Sequence, residues 1–383
     1  MKKKTLLPLG LVFVFLMQAL SVTGALAAPP VPQAEWTFMI YVCGDNDLEV
    51  DWAPNLEGLE SVGSTSDVHF VALVDLYTEE GVELVHIEQG YSTVVETYSE
   101  LNLGDPQVTI DFVNTVQSLY PAEKYLLDFW NHGWAWDYFC WDEGDDDWLD
   151  VPELGQIMDT VGFIDIVGFD ACDMAQIDVY YELVGHASYV VGSETYIPLL
   201  GWPYDTDAQD LVNNPTQDAL TYAAELVVNY GELYTPLKGY GFETLSAVDV
   251  GQIPALATTF TDWTSEMTAN LGQYKTRYAA ALRGATKMSQ SNYYVDMYDY
   301  TLELLDETIP ASLVTTTENA KIAINNAVVA EWHGKKMKDV YGLTFYWAKA
   351  GYWTGPSSVR EAYLQVSWGQ VTGWADFLDA YYA

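Results

Sequence analysis

Tyr125-Leu126-Leu127-Asp128-Phe129-Trp130-Asn131-His132-Gly133 and, further on, Phe163-Ile164-Asp165-Ile166-Val167-Gly168-Phe169-Asp170-Ala171-Cys172 decide the fold. Each begins as a short apolar run bounded by polar sequence, the pattern of a strand buried on both faces of a parallel sheet. Each then delivers a chemistry-bearing residue just past the strand end, where open α/β sheets bind ligands and do chemistry. Alone, His132 reads as a hydrogen-bonded structural histidine and Cys172 as a small buried thiol. Brought to one sheet edge by neighbouring strands, they read as a thiolate–imidazole pair.

The flanking sequence fits the same sheet. Trp36 to Val42, Val68 to Val74, Val82 to Ile87 and Ser188 to Gly192 read as further strands. Leu48 to Val62, Val108 to Leu119, Asp150 to Val161 and Met174 to Ala187 read as helices between them. Asp150, with Glu153 three residues on, predicts a capping box. Such alternation gives a mostly parallel sheet covered on both faces. After about residue 250 the pattern turns helical over 253–280, 295–306 and 315–329, with one late strand at 342–347 that is expected to pack on the core. The organisation expected is a leader at 1–27, an α/β domain at 28–250 and a helical region at 251–383.

The leader follows from Met1-Lys2-Lys3-Lys4, an apolar stretch from Leu6 to Leu20, and Ala25-Leu26-Ala27, the signature of a secretory signal peptide. Its cleavage removes three lysines and no acid, so the net charge of -40 becomes more negative still. So acidic a chain excludes nucleic acid as a partner, because phosphate binding needs clustered Lys and Arg. It suits cationic substrates and an extracellular or cell-surface location, with no membrane span after cleavage. Three cysteines are too few for a disulfide framework, and an odd count leaves one thiol free; Cys172 is the expected one, with a Cys43–Cys140 bridge left open. His69, His86, His186 and His333 have no metal-ligand spacing. Fourteen Trp and 28 Tyr would also suit sugar binding, but no two carboxylates stand out as a glycosidase pair.

At His132-Gly133 and Asp170-Ala171-Cys172 the chain resembles the clostripain family of cysteine peptidases, within the caspase-like clan. Gly192-Ser193-Glu194 with Gly201-Trp202-Pro203-Tyr204, Asp296-Met297-Tyr298-Asp299-Tyr300 and Tyr341-Gly342-Leu343-Thr344-Phe345-Tyr346 resemble further family segments in the family's order. The resemblance implies a caspase-like three-layer α/β sandwich with a largely helical C-terminal extension. It implies an endopeptidase acting on polypeptides after Arg or Lys, with Cys172 as nucleophile, His132 as acid/base and Gly133 in the oxyanion hole. Asp170 would select the basic side chain, with Ser193, Glu194 and Trp202 lining the same pocket. No cofactor is needed for the chemistry, but calcium dependence belongs to the family. The acidic loop with Asp142, Asp145 and Asp147 offers it oxygen ligands.

Three departures bear on that reading. Trp134-Ala135-Trp136 stands where relatives often carry small residues, and its bulk is expected to narrow the cleft. No Lys or Arg occurs from Tyr125 to Leu237, so the family's self-cleavage at a basic residue is not available and activity is expected from a single chain. Asp173, beside Cys172, would raise the thiol pKa unless it points away, while a helix starting near Met174 would lower it. The alternative function is a secreted binding protein on a peptidase fold, with its chemistry lost.

Overall fold

The computed structural model describes residues 33–79, 81–288, 293–356 and 358–383, so the leader lies outside the described residues. Gln33 to Ala383 forms one compact unit, and no separate body begins near residue 250.

At its centre is a nine-stranded sheet. Its strands in chain order are β1 (Ala34–Gly44), β2 (Val68–Leu76), β3 (Val82–Glu88), β4 (Tyr91–Tyr98), β5 (Ala122–Trp130), then β8 (Ile164–Asp170), β9 (Ala187–Gly192), β10 (Thr244–Asp249) and β13 (Val328–His333). A hairpin of β6 (Phe139–Asp142) and β7 (Asp147–Leu149) stands apart, and β11 (Lys287–Met288), β12 (Tyr294–Asp296) and β14 (Thr344–Tyr346) make a small antiparallel sheet. The main order is β13-β10-β9-β8-β5-β1-β2-β3-β4. The inner strands β9, β8, β5, β1 and β2 run parallel, and the edge pairs are antiparallel. From β1 the chain first moves out through β2, then returns to β5 on the other side. That reversal opens a crevice at the carboxyl ends of β1 and β5, the usual ligand position in such sheets.

Residues along β1 alternate between two cores, as the two-residue period of a strand requires. Trp36, Phe38, Ile40 and Val42 face a core shared with helices α1 (Glu49–Val62), α5 (Tyr204–Asn213) and α6 (Ala219–Tyr234). Met39, Tyr41 and Cys43 face the other core. There α2 (Pro106–Leu119) and α3 (Val151–Val161) are joined by the C-terminal helices α7 (Ile253–Gly284), α8 (Met297–Asp306), α9 (Ala311–Ala327) and α13 (Trp374–Tyr382). The result is a three-layer α/β sandwich. The capping box at Asp150 is present: Asp150 accepts the Glu153 N–H at 2.8 Å and Glu153 accepts the Asp150 N–H at 2.9 Å.

Two segments depart from the periodicity reading. Residues 174–187 hold only a four-residue helix, α4 (Ile177–Tyr180), and a single 3-10 turn after it. Met174 to Gln176 are instead held open by β14, where the Thr344 N–H donates to the Ala175 carbonyl at 3.0 Å and Gln176 bridges Thr344. The helix read over 315–329 ends at Ala327, and Val328 to His333 becomes the edge strand β13. Its partner β10 lies eighty-odd residues away, so pairing overrides local pattern.

The C-terminal layer is welded by aromatic rings. Trp374 is fully buried, packs on Phe345, Trp347 and Phe377, and donates its indole N–H to the Tyr346 carbonyl at 2.7 Å. Trp374→Ala is expected to cost about 3–5 kcal/mol in a urea or guanidinium melt, far more than the same change at exposed Trp148.

Candidate active site

β5 ends at Trp130 and β8 at Asp170, registered side by side. His132 and Cys172 therefore leave the sheet together. With Asp170, Trp130, Asn131, Leu48, Asp51 and the Ile197–Gly201 loop they line one cleft of about 150 Å³. Gly133 presses on the Cys172 loop: a Cβ there would lie 2.3 Å from the Cys172 carbonyl oxygen, so only glycine fits. Among the described residues the N–H groups of Gly133 and Cys172 have no protein acceptor, which leaves both open to an oxyanion.

His132 is oriented by a residue the sequence reading passed over. Its Nε2 lies 2.8 Å from Asp47 Oδ1, in the loop that follows β1. With Nε2 engaged as a donor, Nδ1 keeps the free lone pair of a base. The available signal was positional, because Gly44-Asp45-Asn46-Asp47 leaves β1 at the crevice where the strand order reverses.

The Cys172 thiol is held by the Ile197 peptide: the N–H donates to Sγ at 3.3 Å, and Sγ lies 3.8 Å from the carbonyl. Burial pushes the thiol up to about 12, and the carboxylates of Asp173 and Asp170 push the same way against the Ile197 N–H. The expected helix N-terminus is missing. α4 is short and starts five residues beyond Cys172, so no macrodipole offsets the carboxylates.

Asp170 forms the floor of the cleft. Its Oδ2 accepts the Trp202 N–H and the Tyr204 hydroxyl, both at 3.1 Å, while Tyr204 also donates to Asp128 at 2.7 Å. Burial and the neighbouring Asp128 push Asp170 up to about 8. Gly201, with a φ of 64°, lets its loop pass over this carboxylate, since a Cβ there would lie 2.6 Å from Oδ2. Among the described residues neither acid has a basic partner.

Other expected site residues lie elsewhere. Ser193 is buried and shares a hydrogen bond with the Thr244 hydroxyl at 2.9 Å. Glu194 is buried too, accepts the Gly342 N–H at 2.9 Å, and is raised well above the carboxylate range by burial and by Asp296. Glu194 thus braces the motif at 341–346, and neither residue lines the cleft. Trp202 contributes its backbone N–H, its ring being in the core. Of the two bulky residues after Gly133, Trp136 is buried against Tyr346 and Tyr363, whereas Trp134 is 46% exposed and stacks on Tyr138 beside His132.

The acidic loop also differs from expectation. Asp142 gathers with Asp45 and Asp75, their carboxylate oxygens within 4.8 Å of one another. Asp145 and Asp147 stand outside that group, Asp147 accepting the Asn102 amide at 2.7 Å. Cys43 and Cys140 are free thiols.

The sequence profile of the clostripain family matches residues 40–377. The chain belongs to the clostripain family. It is similar to the clostripain of Hathewaya histolytica, 26% identical over 185 residues, a match that spans 38% of this chain and 35% of that protein. In fold it is similar to a secreted cysteine protease from Bacteroides thetaiotaomicron solved with an irreversible peptide inhibitor (TM-score 0.68, 23% identity, 89% of this chain and 99% of that one). It is also similar to an inactive zymogen from Parabacteroides distasonis (TM-score 0.70, 20% identity, 90% and 99%).

This clostripain-family fold stores protons on buried acids. Asp170 titrates at about 8 and Asp173, Asp178 and Asp296 at about 7, each raised first by burial. Unfolded, such groups release their protons near pH 4. Between the two values the folded chain binds more protons, so stability falls as pH rises. Thermal melts in chelator are expected to give a lower midpoint at pH 8 than at pH 5.5, and Asp170→Asn, which mimics the protonated acid, is expected to flatten that dependence.

Proposed function

We propose that this chain is an exported cysteine endopeptidase that cuts polypeptides after Arg or Lys. One observation carries the reading: a single cleft is lined by a histidine, a cysteine and a buried carboxylate, with two unengaged N–H groups beside the thiol. Cys172 Sγ gives its proton to His132 Nδ1 and attacks the scissile carbonyl carbon. The oxyanion that forms takes the N–H groups of Gly133 and Cys172. His132 then protonates the departing amine, leaving a thioester on Cys172 that water hydrolyses with His132 as base.

Asp170 gives the pocket its charge. Oδ2 is occupied by Trp202 and Tyr204, while Oδ1 has no protein donor among the described residues. A guanidinium or ammonium before the scissile bond supplies the counter-charge that Asp128 and Asp170 lack. Export rests on the basic start, the apolar stretch and Ala25-Leu26-Ala27. Among the described residues no helix is long and apolar enough to cross a membrane.

The test is cleavage of fluorogenic peptides ending in Arg, Lys, Asp or Leu by the reduced chain from Ala28 onward. Arg or Lys peptides are expected to be cut, and Cys172→Ala to abolish the cut. Asp170→Asn is expected to lower kcat/KM for those peptides by about 100-fold or more, as loss of a buried charge partner does. No cleavage by a folded chain would favour the binding-protein alternative.

A further inference from the structure

We propose that Trp134, backed by Tyr138, forms a subsite for the first residue after the scissile bond and favours a large apolar or aromatic side chain there. The assignment rests on the reading of His132 as the acid that protonates the departing amine. On that reading the nitrogen of the scissile bond faces the imidazole, so the segment that leaves runs on past His132. Asp170, read as the partner of the residue before the bond, ends β8, whereas His132 follows β5. The residues on either side of the cut therefore lie towards different strand ends.

Trp134 does not narrow the cleft as its bulk suggested; it stands outside the residues that line it. Its ring lies beside the imidazole, with centroids 6.0 Å apart. Trp141 lies at a similar 6.1 Å but is half-buried, and Asn46 and Asn131 hold its carbonyl. From Trp134 the aromatic surface continues: its ring stacks on Tyr138 at 5.1 Å and 17°, and Tyr138 meets Trp148 at 5.3 Å. Trp134 and Trp148 remain 46% and 43% exposed, an apolar ledge that begins at the cleft's own His132.

The backbone holds this ledge in place before any substrate arrives. The Trp134 N–H donates to the Tyr138 carbonyl at 2.8 Å, and the Trp134 carbonyl accepts the Asp137 N–H at 3.1 Å and the Tyr294 hydroxyl at 3.3 Å. Ala135 turns the chain at a φ of 55°, and Trp136 goes inward, its N–H donating to Gln176 at 2.9 Å. One tryptophan of the pair is thus core and the other is surface. A side chain laid on a ring already fixed by stacking gains burial and aromatic contact with little ordering cost. The carboxylates at hand, Asp47 on the imidazole and Asp137 in the turn, are exposed, where salt screens them, so ring contact rather than charge decides the preference. No Lys or Arg occurs from Tyr125 to Leu237, so an acidic side chain finds no partner in this stretch.

The test uses the reduced chain from Ala28 onward and quenched peptides that differ only in the residue after a single Arg: Ala, Phe, Trp, Lys or Glu, with the cut bond read by mass spectrometry. kcat/KM is expected to be about tenfold higher for Phe and Trp than for Ala, and lowest for Glu. Trp134→Ala is expected to bring the Phe-to-Ala ratio close to one, and Trp134→Phe to keep most of it. A merely structural role for Trp134 would slow both peptides alike and leave the ratio as it was. A ratio near one in the unmutated chain, a ratio that survives Trp134→Ala, or a Lys peptide cut faster than the Phe peptide would overturn the subsite and leave the cut after Arg standing. A folded chain that cuts none of these peptides would refute that cut and the subsite with it.

Discussion

Two side-chain amides converge on two carbonyls at the centre of this molecule. Asn46 and Asn131 each donate to the carbonyls of Cys43 and Trp141. Four amide hydrogens meet four lone pairs, so a buried polar knot is fully satisfied and rigid. It ties the end of β1, the end of β5 and the β6 hairpin at the crevice where the strand order reverses. Asn131 Oδ1 also accepts the His132 N–H, so the imidazole leaves the sheet from a fixed backbone. An apolar residue at either position would leave each carbonyl one donor short and loosen the tie between the loops.

Around that knot the molecule handles an unusual electrostatic problem, many buried acids and few bases. Asp128 and Asp170 share the Tyr204 hydroxyl, and burial holds them up to about 6 and about 8. Glu194 and Asp296 lie together behind the Cys172 loop, each raised by burial and each accepting backbone N–H donors. Of the first kind, Asp170 lines the open cleft and Asp128 lies beneath it, joined to it through Tyr204. Those of the second kind, sealed in the core, keep their protons and bind segments together. The sequence marks all of them alike as acidic; only depth and access separate the roles.

Much of the frame was legible because strands buried on two faces write long apolar runs. β1, β2, β5 and β8 lie where those runs lie, and Asp150 caps α3 as its spacing said. His132, Gly133, Cys172 and Asp170 were legible as motifs at strand ends. Asp47 was not, because a carboxylate gains its place beside the imidazole from neighbours brought up by other strands. Ser193 and Glu194 follow Cys172 as the next motif in the family's order but turn into the core, a direction that residue order does not encode. The stretch after Cys172 looked helical because the strand that holds it open comes from the far end of the chain. Val328 and Val329 were read as the end of a helix for the same reason, the register of their strand being set by β10.

That dependence on the far end has a consequence for timing. Ala175 and Gln176 are held by Thr344, Asp178 takes the Tyr346 N–H and the Tyr363 hydroxyl, and Glu182 takes the backbone and hydroxyl of Ser367. These clamps come from residues 344–367, and they add to the bonds that Asp173, Ala175 and Gln176 make with Thr195, Ser193 and Trp136. A nascent chain emerging from the ribosome carries the cysteine long before it carries the braces. The segment behind Cys172 is fully braced only once residues up to Ser367 have been made, so a copy cut short before them lacks those braces.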